Sequence, residues 1–156
     1  MSLPRLYLET TIPSYLVARP SRLIHVAARH ETTQRWWETR RRFYEIFVSD
    51  IVLQEARAGD PEMAAAREAA LAGLPQLEQS PEADALAQRL IDMKIIPEKA
   101  AGDAAHVALA AVHGMDFLLT WNCKHINNAA LKRRIEAACS SLGFRCPVIC
   151  TPGELR

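Results

Sequence analysis

Short apolar runs alternate with longer amphipathic or alanine-rich stretches along the whole chain. The segments "RLYLE" (5–9), "YEIFVS" (44–49), "DFLLT" (116–120) and "PVICT" (147–151) have the length and side-chain types of strands. "QLEQ" (76–79) is a weaker strand candidate. Pro13 belongs in the first turn of a helix that follows the first run. After the breaker Pro20, residues 21–43 read as one long helical stretch. Residues 50–59 read as a short helix, with Asp50 as N-cap and Gly59 as stop. Asp60-Pro61 opens an alanine-rich helix ended by "GLP", and Ser80-Pro81 opens one that runs to about Met93. A very apolar helix around Asp103 ends at Gly114. A last helix carries the stripe Leu131, Ile135, Ala138 and Leu142 and stops at Gly143. Strands alternating with helices predict an α/β protein: a three-layer α/β/α sandwich around a central, mainly parallel sheet of four or five strands. With no repeat, low-complexity tract or linker, residues 1–156 read as one domain.

Composition narrows the function classes only a little. The 156 residues are 49% hydrophobic and 24% charged, with a formal net charge of +1. That balance suits a globular domain with a sizeable core, and any basic footprint must be local. Cys123, Cys139, Cys146 and Cys150 lack the paired spacing of a structural zinc site and read as free thiols in a reducing cytoplasm. Arg5 and Glu9 interrupt the apolar stretch near the N-terminus, so no signal peptide is expected. No run approaches 18 apolar residues, so the expectation is a soluble, cytoplasmic protein without a membrane span.

The chemistry lies in four positions. In open parallel sheets, reacting groups gather beyond the carboxyl ends of the strands. "LYLE" ends at Glu9, followed by Thr10 and Thr11, and "FLLT" ends at Thr120, followed by Asn122. Glu55 shares a helix face with Ile51 and Val52, which should point inward. Asp103 shares its stripe with Val107, Ala110 and Ala111, and an ionised carboxylate in so apolar a helix needs a partner or a metal. His106 and His113 are placed on the Leu109 side, away from Asp103.

Each acid has an ordinary alternative: Glu9 as a helix cap, Glu55 as a surface acid, Asp103 as a first-turn residue favoured by the helix dipole. Together they are harder to dismiss. Two carboxylates about 4 Å apart repel by roughly 1 kcal/mol in water and roughly 4 kcal/mol at an effective dielectric near 20. With no Lys or Arg placed among them by spacing, a divalent cation is the natural counter-ion, and oxygen donors suit Mg²⁺ or Mn²⁺. "RWWETRRRF" (35–43) interleaves arginines with Trp36 and Trp37. Arg40, Arg41 and Arg42 are candidate phosphate contacts, and a solvated face is the alternative.

The pattern resembles the PIN-domain family, especially the VapC-type toxin ribonucleases of toxin–antitoxin pairs. "YLETTIPSYL" is similar to the family's opening strand and helix start, "VSDIVLQEA" to its second block, and "AGDAAHVALAAVHGMDFLLTWNCKHI" to its third. The order and spacing cover nearly the whole chain. Glu9 stands where the family usually has Asp, Asn122 where an acid is frequent, and His125 where many members have Asp.

The resemblance implies a PIN-like fold and a Mg²⁺- or Mn²⁺-dependent endoribonuclease, the toxin half of a type II pair. Its partners would be RNA, a cognate antitoxin and a second copy in a homodimer. Glu9, Glu55, Asp103 and Asn122 would be the catalytic metal ligands. Thr10, Thr11 and Thr120 would orient them, and His125 would be either a general acid or a surface residue. The competing expectation is a PIN-like module that binds RNA or protein with catalysis weakened or lost.

Overall fold

The computed structural model describes residues 2–156. Five strands, β1 (Arg5–Leu8), β2 (Glu45–Ser49), β3 (Gln76–Leu77), β4 (Phe117–Leu119) and β5 (Val148–Cys150), form one sheet in the order β3-β2-β1-β4-β5. Every pairing is parallel. Parallel neighbours need long crossovers. Among the described residues seven α-helices are available for them: α1 (Thr11–Leu16), α2 (Ile24–Thr39), α3 (Asp50–Ala56), α4 (Pro61–Leu71), α5 (Pro81–Asp92), α6 (Ala101–Val112) and α7 (Ala129–Ser141).

The central strand shows the layering directly. Leu6, Tyr7 and Leu8 are successive residues pointing to alternate faces, and all three are fully buried. Both faces of the sheet are therefore covered, which gives the expected α/β/α arrangement and explains the continuous apolar run of β1.

Helix starts follow the cap chemistry with one revision. Asp60 accepts a bond from the Met63 amide and Ser80 one from the Ala83 amide, each with a proline next. The α3 cap is Ser49 rather than Asp50. Its extended backbone and a hydroxyl that accepts from Val52 N–H put Asp50 inside the first turn. The stretch 21–43 is shorter than its pattern: α2 stops at Thr39 and a 3-10 turn, Arg41–Phe43, leads into β2.

The helix around Asp103 also differs from expectation. α6 begins at Ala101, which leaves Asp103 in its first turn and half-buried rather than enclosed. Gly114, with φ +69°, ends that passage in the left-handed conformation that glycine adopts at least cost and turns the chain into β4.

The order of the sheet decides where chemistry can gather. From β1 the chain moves outward to β2, whereas from β4 it moves outward the other way to β5. The order thus reverses between β1 and β4, and a crevice opens beyond their carboxyl ends.

Candidate active site

Glu9 follows β1 directly and Thr120 follows β4. Leu8 pairs with Leu119, so Glu9 and Thr120 are neighbours across the crevice. Glu9 is only 3% exposed. Its Oε1 accepts hydrogen bonds from the hydroxyls of Thr11 and Thr120, the latter at 2.6 Å, and its Oε2 accepts the Thr11 amide at 3.1 Å. Each hydroxyl in turn accepts a backbone N–H beyond β4: Trp121 to Thr11 at 2.8 Å, and Asn122 to Thr120 at 2.9 Å. The single hydrogen of each hydroxyl is thereby aimed at Glu9. Burial pushes the Glu9 carboxyl above the ordinary range, opposed by the nearby His106 and by these three donors.

Glu55 reaches the same edge from α3. Its Oε1 accepts the Thr10 hydroxyl at 2.7 Å and a ring N–H of His106. Partial burial would raise its carboxyl, but the His106 bond and charge and the Thr10 hydroxyl outweigh that and hold it below the usual range. Its Oε2 lies 3.7 Å from where a Cβ on Gly102 would sit. No side chain intervenes there between Glu55 and the first turn of α6. Asp103, the next residue, is half-buried and pairs with no cation among the described residues.

His106 was missed as a site residue. It lies one turn after Asp103 and faces the site instead of turning away, and it is fully buried. Nε2 bonds Glu55, and Nδ1 lies 2.7 Å from the Tyr7 hydroxyl, which lies 2.7 Å from Ser49 Oγ. An ionised carboxylate only accepts, so Nε2 carries a proton. In the neutral ring Nδ1 accepts from Tyr7, and Ser49 donates to Tyr7. Both ring nitrogens are occupied, which leaves the site's free donors all oxygen. Tyr7→Phe would strand Nδ1 and the Ser49 hydroxyl in the core. The expected cost is about 1–3 kcal/mol, read as a lower urea midpoint at unchanged m-value.

No protein-family model matches the sequence, and no curated protein is a detectable relative. The structure resembles the crystal structure of Mycobacterium tuberculosis VapC20, a Sarcin-Ricin loop cleaving toxin. The TM-score is 0.53 at 18% identity, covering 89% of this chain and 95% of that one. The fold is the VapC-type PIN fold. At that identity the likeness carries the architecture, and the activity has to be argued from the side chains.

Within the PIN fold, the remaining expected residues divide. Thr10, Thr11 and Thr120 all bond a site carboxylate. Asn122 sits at the crevice, but its Oδ1 accepts the His125 amide at 3.0 Å, closing a turn. His125 is half-buried in that turn.

The arginine cluster does not join them. Arg40, Arg41 and Arg42 immediately precede β2 and so lie at the amino edge of the sheet, opposite the carboxylates. There Arg41 stacks over Trp37 at 4.1 Å and Arg42 over Phe43 at 5.0 Å. A cleft of about 290 Å³ along α2, lined by Arg35, Trp36, Arg40 and Arg156, contains none of the four expected ligands.

Among the described residues, no three of the His, Cys, Asp and Glu side chains are drawn together as a ready-made metal cage. The donor set nevertheless fits a hard cation. Glu55 Oε2 and the Asp103 carboxylate have oxygen lone pairs to offer, and Glu9 immediately precedes Thr10, which bonds Glu55. Few protein ligands and several waters are the usual pattern for Mg²⁺.

Proposed function

We propose that the protein is a Mg²⁺- or Mn²⁺-dependent endoribonuclease of the PIN type, acting as the toxin of a toxin–antitoxin pair. One observation carries the reading. Glu9 ends β1 opposite Thr120, and Glu55 is held by His106 and by Thr10, the residue after Glu9, with its Oε2 toward Gly102 in the first turn of α6, where Asp103 follows. The likeness to VapC20 supports the substrate class, since that toxin is described as cleaving the Sarcin-Ricin loop.

The residues divide the work. Glu55 and Asp103 would hold the cation, with Glu9 as a third carboxylate and the Asn122 amide oxygen reaching it directly or through water. A divalent cation bound there supplies a water of lowered pKa and positive charge for the phosphate oxygens. Thr11 and Thr120 fix Glu9, and Thr10 and His106 fix Glu55, so each carboxylate keeps its orientation as charge builds up on a substrate. His125, whose backbone N–H bonds Asn122 Oδ1, would be the candidate donor to a leaving oxygen.

A second reading, an RNA- or protein-binding module without catalysis, also has an observation in its favour. Asn122 Oδ1 already closes a turn, and burial favours the neutral form of Glu9. A single assay separates the two. Incubated with unstructured RNA and Mn²⁺, the wild-type protein is expected to cleave, EDTA to stop it, and Glu55→Gln to be inactive. RNA bound but left intact at all Mn²⁺ concentrations would favour the binding module.

A further inference from the structure

The arginines that stand out in the sequence lie at the wrong edge of the sheet for a phosphate contact beside the carboxylates. A different arginine lies at the right one. Arg29 is near the start of α2, which begins on the side of the sheet where β1 ends, and it is half-buried.

Its guanidinium is centred 5.2 Å from the ring of Trp121 and 5.6 Å from that of Tyr15, and Nη1 donates to the Tyr15 hydroxyl at 3.3 Å. It forms no ion pair among the described residues. A positive charge is therefore held by two aromatic rings, with most of its N–H donors unused, next to an acidic site.

The bracket is rigid. Trp121 is fixed at both ends: its backbone N–H bonds Thr11 Oγ, and its indole N–H bonds Thr33 Oγ at 2.8 Å. Thr33 in turn donates to the Arg29 carbonyl at 2.6 Å. The two rings meet edge to face at 6.2 Å. Through Thr11, the same residue that holds Glu9, the bracket is one hydroxyl away from the proposed metal site.

We propose that Arg29, Tyr15 and Trp121 form a nucleotide subsite for single-stranded RNA flanking the scissile bond. Arg29 pairs with a backbone phosphate, and the ring pair offers a stacking surface to the adjoining unpaired base. The proposal rests on the ribonuclease reading. It makes physical sense of an unpaired charge at this edge: an acidic crevice repels a polyanion, and one fixed guanidinium offsets that where the strand enters. Arginine suits the position because its planar group stacks on aromatic rings while its edge bonds phosphate.

The test is binding of a fluorescent single-stranded RNA decamer to the full chain in EDTA, so that affinity does not depend on metal occupancy. Affinity is followed against NaCl concentration. Arg29→Ala is expected to weaken binding about tenfold and to reduce the salt slope by about 0.7, the value for one lost single-strand phosphate contact. Arg29→Lys should keep the slope and lose part of the affinity. Tyr15→Leu should weaken binding several-fold with the slope unchanged, the signature of lost stacking.

Several results would overturn the subsite. One is an Arg29→Ala slope equal to that of wild type, whether or not the melting temperature falls, since a purely structural bracket moves stability and not the slope. Another is a slope lowered by replacing Arg40, Arg41 and Arg42 together and not by replacing Arg29. A third is a decaglutamate peptide that displaces RNA as well as unlabelled RNA does, which would reassign Arg29 to an acidic protein partner. Wild-type protein that binds no RNA overturns the ribonuclease reading along with the subsite, whereas indifference to Arg29 alone overturns only the subsite.

Discussion

Asp103→Asn is expected to leave the metal-free protein within about 1 kcal/mol of wild type and to lower ribonuclease activity more than about a hundredfold. The small stability change follows from the position of Asp103. It is half-buried in the first turn of α6 and pairs with no cation among the described residues. Losing its charge removes a favourable first-turn helix-dipole contact, which is worth at most about 1 kcal/mol at such a site.

The large activity change follows if Asp103 is a charged metal ligand. Stabilisation by added metal goes as RT ln(1 + [L]/Kd), about 2.7 kcal/mol at a hundredfold excess. Wild type should show that rise in melting curves with Mn²⁺, and Asp103→Asn much less of it at the same concentration. Strong destabilisation of the metal-free variant with its Mn²⁺ response intact would make Asp103 a structural residue and remove it from the mechanism.

Glu9 should behave in the opposite way, because it is built into the core. Glu9→Ala leaves the Thr11 hydroxyl, the Thr120 hydroxyl and the Thr11 amide without their acceptor. Thr120 is fully buried and Thr11 half-buried, so at about 1–3 kcal/mol for a buried unsatisfied group the expected loss is roughly 2 kcal/mol or more. That is a large part of the roughly 5–15 kcal/mol that stabilises a typical domain. Chemical denaturation of the two proteins in EDTA measures it.

The pH dependence has a definite sign. Glu9 has a folded pKa above its unfolded value of about 4.3, so it binds its proton more tightly when folded. That contribution is complete below the unfolded value and is lost as pH rises through the folded one. Glu55, held below the usual range, contributes stability above about pH 4.3 that is lost as pH falls through its folded value. Metal-free wild type should therefore lose stability on the alkaline side of this point in a way that Glu9→Gln does not, and Mn²⁺ should restore it. A Glu9→Gln profile parallel to wild type would mean that the Glu9 carboxyl is not held above its ordinary range.

Much of the fold was legible because each strand is a short apolar run and the helix breaks carry their own chemistry. Asp60-Pro61 and Ser80-Pro81 mark helix starts by local rules alone. The errors arise where local rules meet tertiary placement. Asp50 and Ser49 are both good caps, and Ser49 won because its hydroxyl also serves the buried Tyr7.

In the site, Glu9 was placed by strand position and is buried at the crevice as a strand-end acid should be. His106 was not found. Its partners, Tyr7 and Glu55, are 99 and 51 residues away in sequence, beyond the reach of periodicity. One signal was available: His106 is three residues from Asp103, and residues three apart share a helix face. The arginine cluster was read from charge density, which carries no direction, so its distance from the carboxylates was not legible. A helix joining parallel strands runs back to the edge where strands begin, so residues just before β2 sit away from the carboxyl ends.

The position of β1 has a consequence for how and when the site comes into being. β1 precedes the other four strands in sequence and is the middle strand of the sheet, and the Glu9–Thr120 bond closes a separation of 111 residues. Contacts so distant in sequence make folding slow, because chain entropy is lost before they form. During synthesis Glu9 can gain Thr120 and its β4 neighbours only after the 111 residues that separate them have been made. The carboxylates then assemble late and together, and a partly made chain carries the acids without the geometry that would let them act.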